Sequence, residues 1–233
     1  MKRVFTTLFA SLLVTPLAMA GGNDDPLLAK LTIDRLEVQA GDGPDPLVLE
    51  GDLWIGYDLN KLWLKADMEQ VDGTVEEQEL QLLYSRAISP YWDLQFGGRR
   101  DFKPQPEHDW VALGLHGTAP YFIETDIALF RDNDGQTELR LLAEYELMFT
   151  QRWFLSSELE MSAFGKSEPL EGIGKGASSL GLNLRLGYEI RREFAPYIGI
   201  NWHTALGETA DLARQTGGEV SETRYVAGVS FWF

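Results

Sequence analysis

From Leu47 to the C terminus, apolar side chains recur at every second position over long segments, with charged or polar residues between them. A period of two belongs to strands whose two faces meet different surroundings. Leu180, Leu182, Leu184, Leu186, Tyr188 and Ile190 alternate with Asn183, Arg185 and Glu189. Leu49, Leu53, Ile55, Tyr57 and Leu59 alternate with Glu50, Asp52, Trp54 and Asp58, and Leu62, Leu64, Ala66 and Met68 alternate with Lys65, Asp67 and Glu69. Further on, Leu139, Leu141, Ala143, Tyr145 and Leu147 oppose Arg140, Glu144, Glu146 and Met148. Only the first segment, Leu27 to Gln39, lacks one register: Leu31, Ile33 and Arg35 share a parity, while Leu36 and Val38 share the other.

Turn residues divide this pattern into twelve expected strands, at 27–39, 47–59, 61–70, 74–89, 91–102, 109–118, 121–131, 136–149, 152–164, 177–190, 194–206 and 222–233. Asp72-Gly73 is a tight hairpin signal. Short turns at 60, 89–90, 119–120, 150–151 and 191–193 contrast with intermediate connections at 41–46 and 103–108 and long ones at 165–176 and 207–221. An even strand number, this contrast and a final strand ending on Phe233 predict an all-β fold. It is a closed antiparallel up-and-down transmembrane β-barrel of outer-membrane type, with short turns and both termini in the periplasm. Tyr57, Trp63, Tyr91, Trp92, Tyr121, Phe149, Trp153, Tyr188, Tyr197, Phe231 and Phe233 cluster near the short turns, where an interfacial girdle belongs.

Composition alone, 44% hydrophobic and 24% charged, would suit a soluble protein. Beyond the start of the chain no run approaches the about 20 apolar residues a membrane helix needs, whereas a barrel hides its membrane signal in alternation. At the start, Lys2 and Arg3 precede an apolar stretch, Val4 to Leu17, and then Ala18-Met19-Ala20. That is the form of a secretory signal peptide, residues 1–20, cleaved after Ala20 and implying export to the outer membrane. Residues 21–26 read as a short periplasmic lead-in, and 27–233 as the barrel. Removing Lys2 and Arg3 takes the formal charge from −16 to −18. Such a chain repels nucleic acid and attracts cations. With no cysteine, neither a disulfide framework nor a thiolate metal cage is available.

With the apolar series facing lipid, the other series enters the lumen: Glu50, Asp52, Lys65, Asp67, Glu69, Asp93, Arg99, His116, Glu124, Asp126, Arg140, Glu144, Glu146, Glu158, Glu160, Arg185, Asn201, His203 and Arg224. Twelve strands lie between the barrels whose side chains fill the interior and those with a wide channel, so the lumen should be narrow and crowded. Its charges either hold the barrel's shape or line a cation path. Of His108, His116 and His203, the last two share the inward series with carboxylates, a donor set that suits Cu(II); each could equally be a hydrogen-bonding lumen residue. Nothing points to catalysis or to a tightly bound cofactor. Gly172 to Gly176 lacks the phosphate-loop spacing, and neither H-E-x-x-H nor G-x-S-x-G occurs.

The runs at 84–106 (YSRAISPYWDLQFGGRRDFKPQP), 116–130 (HGTAPYFIETDIALF), 141–155, 172–202 and 209–233 resemble the copper resistance protein B family of outer-membrane proteins. The resemblance implies a role in copper tolerance at the outer membrane, by binding copper ions or moving them across. Outer-membrane lipid and copper ions would be the partners, with a periplasmic copper-handling protein as a further one. Members of that family commonly carry a Met- and His-rich segment before the barrel, and Gly21 to Pro26 contains neither residue. Copper handling is then expected of the barrel itself, with His116, His203, Met148, Glu144 and Glu158 as candidate ligands. The alternative is a general small-solute porin or a structural barrel without metal specificity.

Overall fold

The structure, a computed structural model, describes residues 25–233; the expected signal peptide and residues 21–24 of the lead-in lie outside the described residues. Twelve antiparallel strands form one closed ring. They are β1 (Leu28–Ala40), β2 (Leu47–Gly56), β3 (Asn60–Val71), β4 (Thr74–Ser89), β5 (Trp92–Lys103), β6 (His108–Ala119), β7 (Ile123–Asp132), β8 (Thr137–Met148), β9 (Trp153–Phe164), β10 (Gly176–Tyr188), β11 (Phe194–Ala205) and β12 (Ser221–Trp232). Each pairs with its neighbours in sequence, and β1 also pairs with β12. At that seam the Phe233 N–H donates to the Leu31 carbonyl at 2.8 Å, and the Leu31 N–H donates back at 3.0 Å. Closure leaves no unpaired strand edge, which is the condition for a sheet in hydrocarbon.

The connections at 57–59, 90–91, 120–122, 149–152 and 189–193 share one end of the ring with Leu28 and Trp232. Those at 41–46, 72–73, 104–107, 133–136, 165–175 and 206–220 share the other. The first end is the periplasmic one in an outer-membrane barrel. Leu53, Leu82, Phe96, Leu113, Leu129, Leu139, Leu184 and Ile200 all stand exposed on the outer wall, an apolar belt that only lipid can cover. Tyr121 and Phe122 project at the short-turn end, each 85% exposed, as interfacial aromatics do.

Three features depart from the sequence reading. First, β1 contains a bulge. Its register jumps between Ile33 and Arg35 against β2 and between Ile33 and Leu36 against β12, leaving Asp34 as an extra residue. One inserted residue reverses the alternation. Leu31 before it and Leu36 and Val38 after it therefore all face outward, while Asp34, Arg35 and Glu37 serve the lumen. Second, the segment read as a loop at 207–221 carries helix α1 (Gly207–Thr216), which lies against β10 and β11 and ends at Gly217 with φ 78°. Third, two aromatics expected in the girdle point inward: Trp63 packs beside His116, and Tyr197 donates to Glu37 at 2.9 Å. The interior is also less uniformly polar than the alternation suggests, because Leu83, Trp110, Ala112 and Phe130 form a small buried apolar cluster inside the ring.

Candidate functional site

Ion pairs between strands that are not neighbours cross the lumen. Arg35 on β1 bonds Glu158 on β9 and, at 2.8 Å, Glu50 on β2. Arg185 on β10 donates twice, at 3.0 Å, to Glu37 on β1, which also accepts from the Tyr197 hydroxyl and, at 3.2 Å, from Asn201. Lys65 on β3 bonds Asp126 on β7. Arg140 on β8 reaches Glu79 on β4 with two bonds of 3.1 Å. Glu37 is 1% exposed and Arg185 5%, so each carries a charge that its partner must compensate.

The pair from β8 to β4 belongs to a larger group in the half of the barrel toward the long loops. Arg99 lies 2.8 Å from Glu79, 2.6 Å from Glu138 and 2.7 Å from Asp101, and Asp101 also accepts from the Trp110 indole at 2.9 Å. The guanidinium groups of Arg99 and Arg140 stand 4.8 and 5.3 Å from the centre of the Phe130 ring. A planar guanidinium both forks to carboxylates and stacks on aromatic faces, which lets two of them pack about one phenyl ring.

Toward the periplasmic end the lumen widens into a cavity of about 550 Å³. Lys30, Arg192, Glu193 and Trp232 stand at its mouth, and it extends inward as far as Gln81, Phe130, Arg140 and Arg185. Its lining holds ten acidic residues against six basic ones, so the hollow is net negative. The β1 bulge places both Asp34 and Arg35 in the wall, one charge of each sign, so the excess comes from the other strands and turns.

The candidate residues divide between the two ends. His116 sits in the vestibule near the short turns, its ring 5.2 Å from that of Trp63 and its Nδ1 3.6 Å from Asp126 Oδ2, beyond hydrogen-bond reach and without another partner. His203 lies on β11 near the long loops, opposite Glu222 in the β12 register, so the two histidines do not share a site. Glu144 and Glu158 are register partners on β8 and β9. Glu144 accepts from Ser156 at 2.6 Å, while Glu158 is held by Arg35 and by Asn183 at 2.6 Å. Met148 is at the periplasmic end of β8 and 45% exposed.

Of the polar network, Glu50, Asp52, Asp67, Glu124, Asp126, Arg140, Glu146 and Arg185 line the vestibule. Asp93 accepts from Ser85 at 3.0 Å and lies 3.5 Å from Lys61, Arg224 pairs with Glu222 at the outer mouth at 2.6 Å, and Glu160 is opposite Gly181. Among the described residues no three or more His, Asp or Glu side chains are arranged to hold a metal ion ready-made.

The sequence reading left out Asp34, Arg35 and Glu37, whose parity the bulge disguises, and Glu79 and Glu138, which the alternation of β4 and β8 could have supplied. It also left out Phe130 and Trp110, whose apolar character gave no sign of an inward position. Outside the membrane, His108 lies between Asp132, at 3.7 Å, and Glu171, at 3.3 Å. Burial, with Glu171 and Asp132 close by, pushes the Glu168 carboxyl up. On α1, Glu208 accepts from the Ser167 hydroxyl and from the Lys175 N–H at 3.0 Å, and these donors hold its carboxyl below the ordinary range. The Gly174 N–H donates to Thr209 at 2.9 Å, and a side chain there would meet the Thr209 nitrogen at 2.2 Å, so only glycine lets the loop lie this close to the helix.

Comparison with known proteins agrees with this architecture. The barrel is similar to the NanC porin, with a TM-score of 0.58 at 14% identity over 88% of this chain and 99% of that one. It is also similar to the KdgM porin, with a TM-score of 0.50 at 13% identity over 87% and 99%. At such identities the likeness concerns the fold alone. In sequence, copper resistance protein B of Escherichia coli is 37% identical over 211 residues, 91% of this chain and 71% of that protein. A copper resistance protein B homolog of Pseudomonas syringae pv. tomato is 38% identical over 213 residues, 91% and 72%. The family described as copper resistance protein B precursor (CopB) matches residues 27–233, the whole barrel, and this outer-membrane barrel therefore belongs to the copper resistance protein B family.

Proposed function

We propose that this chain serves copper resistance as a non-catalytic outer-membrane barrel that takes copper ions into its acidic lumen, binding them there and passing them across the membrane. The observation that carries the reading is the vestibule's excess of carboxylates in a chain of this family. A net-negative hollow in a low-dielectric wall concentrates cations. Copper is the cargo, with no cofactor needed beside it. In the vestibule, His116 and Glu144 are the ligands on offer to Cu(II), and Met148 at the rim suits Cu(I). Glu158 is the weaker candidate because Arg35 and Asn183 already occupy its oxygens. His203 would meet ions at the outer mouth. The ion pairs that cross the lumen speak against a wide general porin. Lipid against the outer belt and a periplasmic copper-handling protein at the inner mouth complete the expected partners.

Titration of detergent-solubilised protein with Cu(I) and with Cu(II), counting bound ions, tests the reading. Saturable binding that weakens by at least about tenfold in a His116→Ala, Glu144→Gln variant is the expected result, since losing even a group that only supports a metal ligand costs about 10–100-fold. No saturable binding, together with liposome swelling by uncharged solutes, would replace the reading with that of a general porin.

A further inference from the structure

We infer that the lumen is a one-ended vestibule, open to the periplasm and shut toward the cell exterior by the group of Glu79, Arg99, Glu138 and Arg140 packed about Phe130. This regulates the site proposed above and rests on that reading for its purpose, though not for its test. Three observations carry it. The cavity's mouth residues all belong to the short-turn end, and its innermost ones include Arg140 and Phe130, beyond which it does not continue. The residues just past that level are packed tight: Glu138 is 3% exposed, Phe130 1% and Trp110 7%. And Arg140 reaches from β8 to Glu79 on β4 across three intervening strands, so the group bridges the barrel instead of lining it.

A hydrated cation that reaches this level from the vestibule meets two guanidinium groups on a phenyl ring. It must separate a two-bond Arg–Glu pair before moving outward. An ion in the vestibule is thereby held on the periplasmic side, and passage depends on opening of the bridge.

The native absence of cysteine gives a background-free test that uses no metal. Two reporters are placed singly in the full chain: Ser156→Cys, in the vestibule wall, and Ser221→Cys, exposed where β12 begins at the long-loop end. Each is reconstituted in liposomes under conditions that favour one orientation and treated from outside with a small charged methanethiosulfonate that does not cross lipid. With the bridge closed, the fraction of Ser156→Cys labelled and the fraction of Ser221→Cys labelled add to one. In the charge-balanced variant Glu79→Ala/Arg140→Ala, or in Phe130→Ala, the Ser156→Cys fraction rises toward complete labelling, and planar bilayers show unitary conductance steps absent from the parent. Heat-modifiable electrophoretic mobility identifies folded barrels, so that only these are scored. Complete labelling of Ser156→Cys in the parent, labelling that parallels Ser221→Cys, or none from either side would each overturn the inference. Copper titration of the cysteine-free parent decides the proposed function separately.

Discussion

Replacing Glu37 by leucine should destabilise the barrel by about 3–5 kcal/mol, the usual cost of orphaning one member of a buried ion pair. The structure explains why the cost should reach this range. Glu37 is 1% exposed and accepts five hydrogen bonds, two from Arg185 and one each from Gln39, Tyr197 and Asn201. Leucine fills similar space but leaves the Arg185 guanidinium uncompensated and the Tyr197 hydroxyl unmatched, the latter worth about 1–3 kcal/mol by itself. A Glu37→Leu/Arg185→Leu double variant removes the stranded charge and should be less damaged than the sum of the singles by at least about 2 kcal/mol. Reversible urea unfolding of the protein refolded into short-chain phosphatidylcholine vesicles, followed by tryptophan fluorescence, measures all four corners of the cycle. Additive singles, or a Glu37→Leu effect within about 0.5 kcal/mol of zero, would show that water enters this level and screens the pair, and the account of a packed interior would fall.

The same assay tests two further points, and amide exchange tests a third. A Gly228→Ala methyl would stand 2.6 Å from the Glu37 Cβ, 2.7 Å from the Leu36 carbonyl and 2.8 Å from the Tyr197 hydroxyl, and should cost about 1–3 kcal/mol, whereas Gly98→Ala, whose nearest neighbour is 3.5 Å away, should be nearly neutral. Leu184→Lys, on the lipid face half-way along β10, should cost about 2–4 kcal/mol, more than the same change at a rim position. Because its donors depress the Glu208 pKa, the clamp between α1 and loop 165–175 is fully present above the unfolded carboxylate pKa and is lost as pH falls through the depressed one. Amide exchange at Lys175 should accelerate on acidification, and a Glu208→Gln variant should lose that pH dependence.

Side-chain alternation was enough to place most residues on the correct wall, because lipid outside and charge inside impose it at every step. It failed at β1, where one added residue reverses the parity, and a bulge has no sequence mark when both flanking halves alternate correctly. It could not give height or partner. Glu158 is recognisable as inward, yet nothing in a strand's own pattern says that β9 and β1 face each other. Nor could it separate Phe130 from an outward aromatic without the positions of Arg99 and Arg140. The helix at 207–216 was hidden for a related reason: its few apolar residues cover only a patch on β10 and β11, too little to give a strong 3.6-residue rhythm. Copper came from likeness to a family, and no argument from periodicity leads to it.

The pairs that cross the lumen join residues far apart in the chain, 148 positions in the case of Glu37 and Arg185. Such contacts cannot exist until the ring has closed, so they should be absent from the rate-limiting step of assembly, and the hairpins and the lipid face must choose the register without them. Interactions formed after the barrier chiefly slow its reversal. The charged interior would then do little to hasten insertion, but would greatly lengthen the time an assembled barrel survives in a membrane exposed to the world outside.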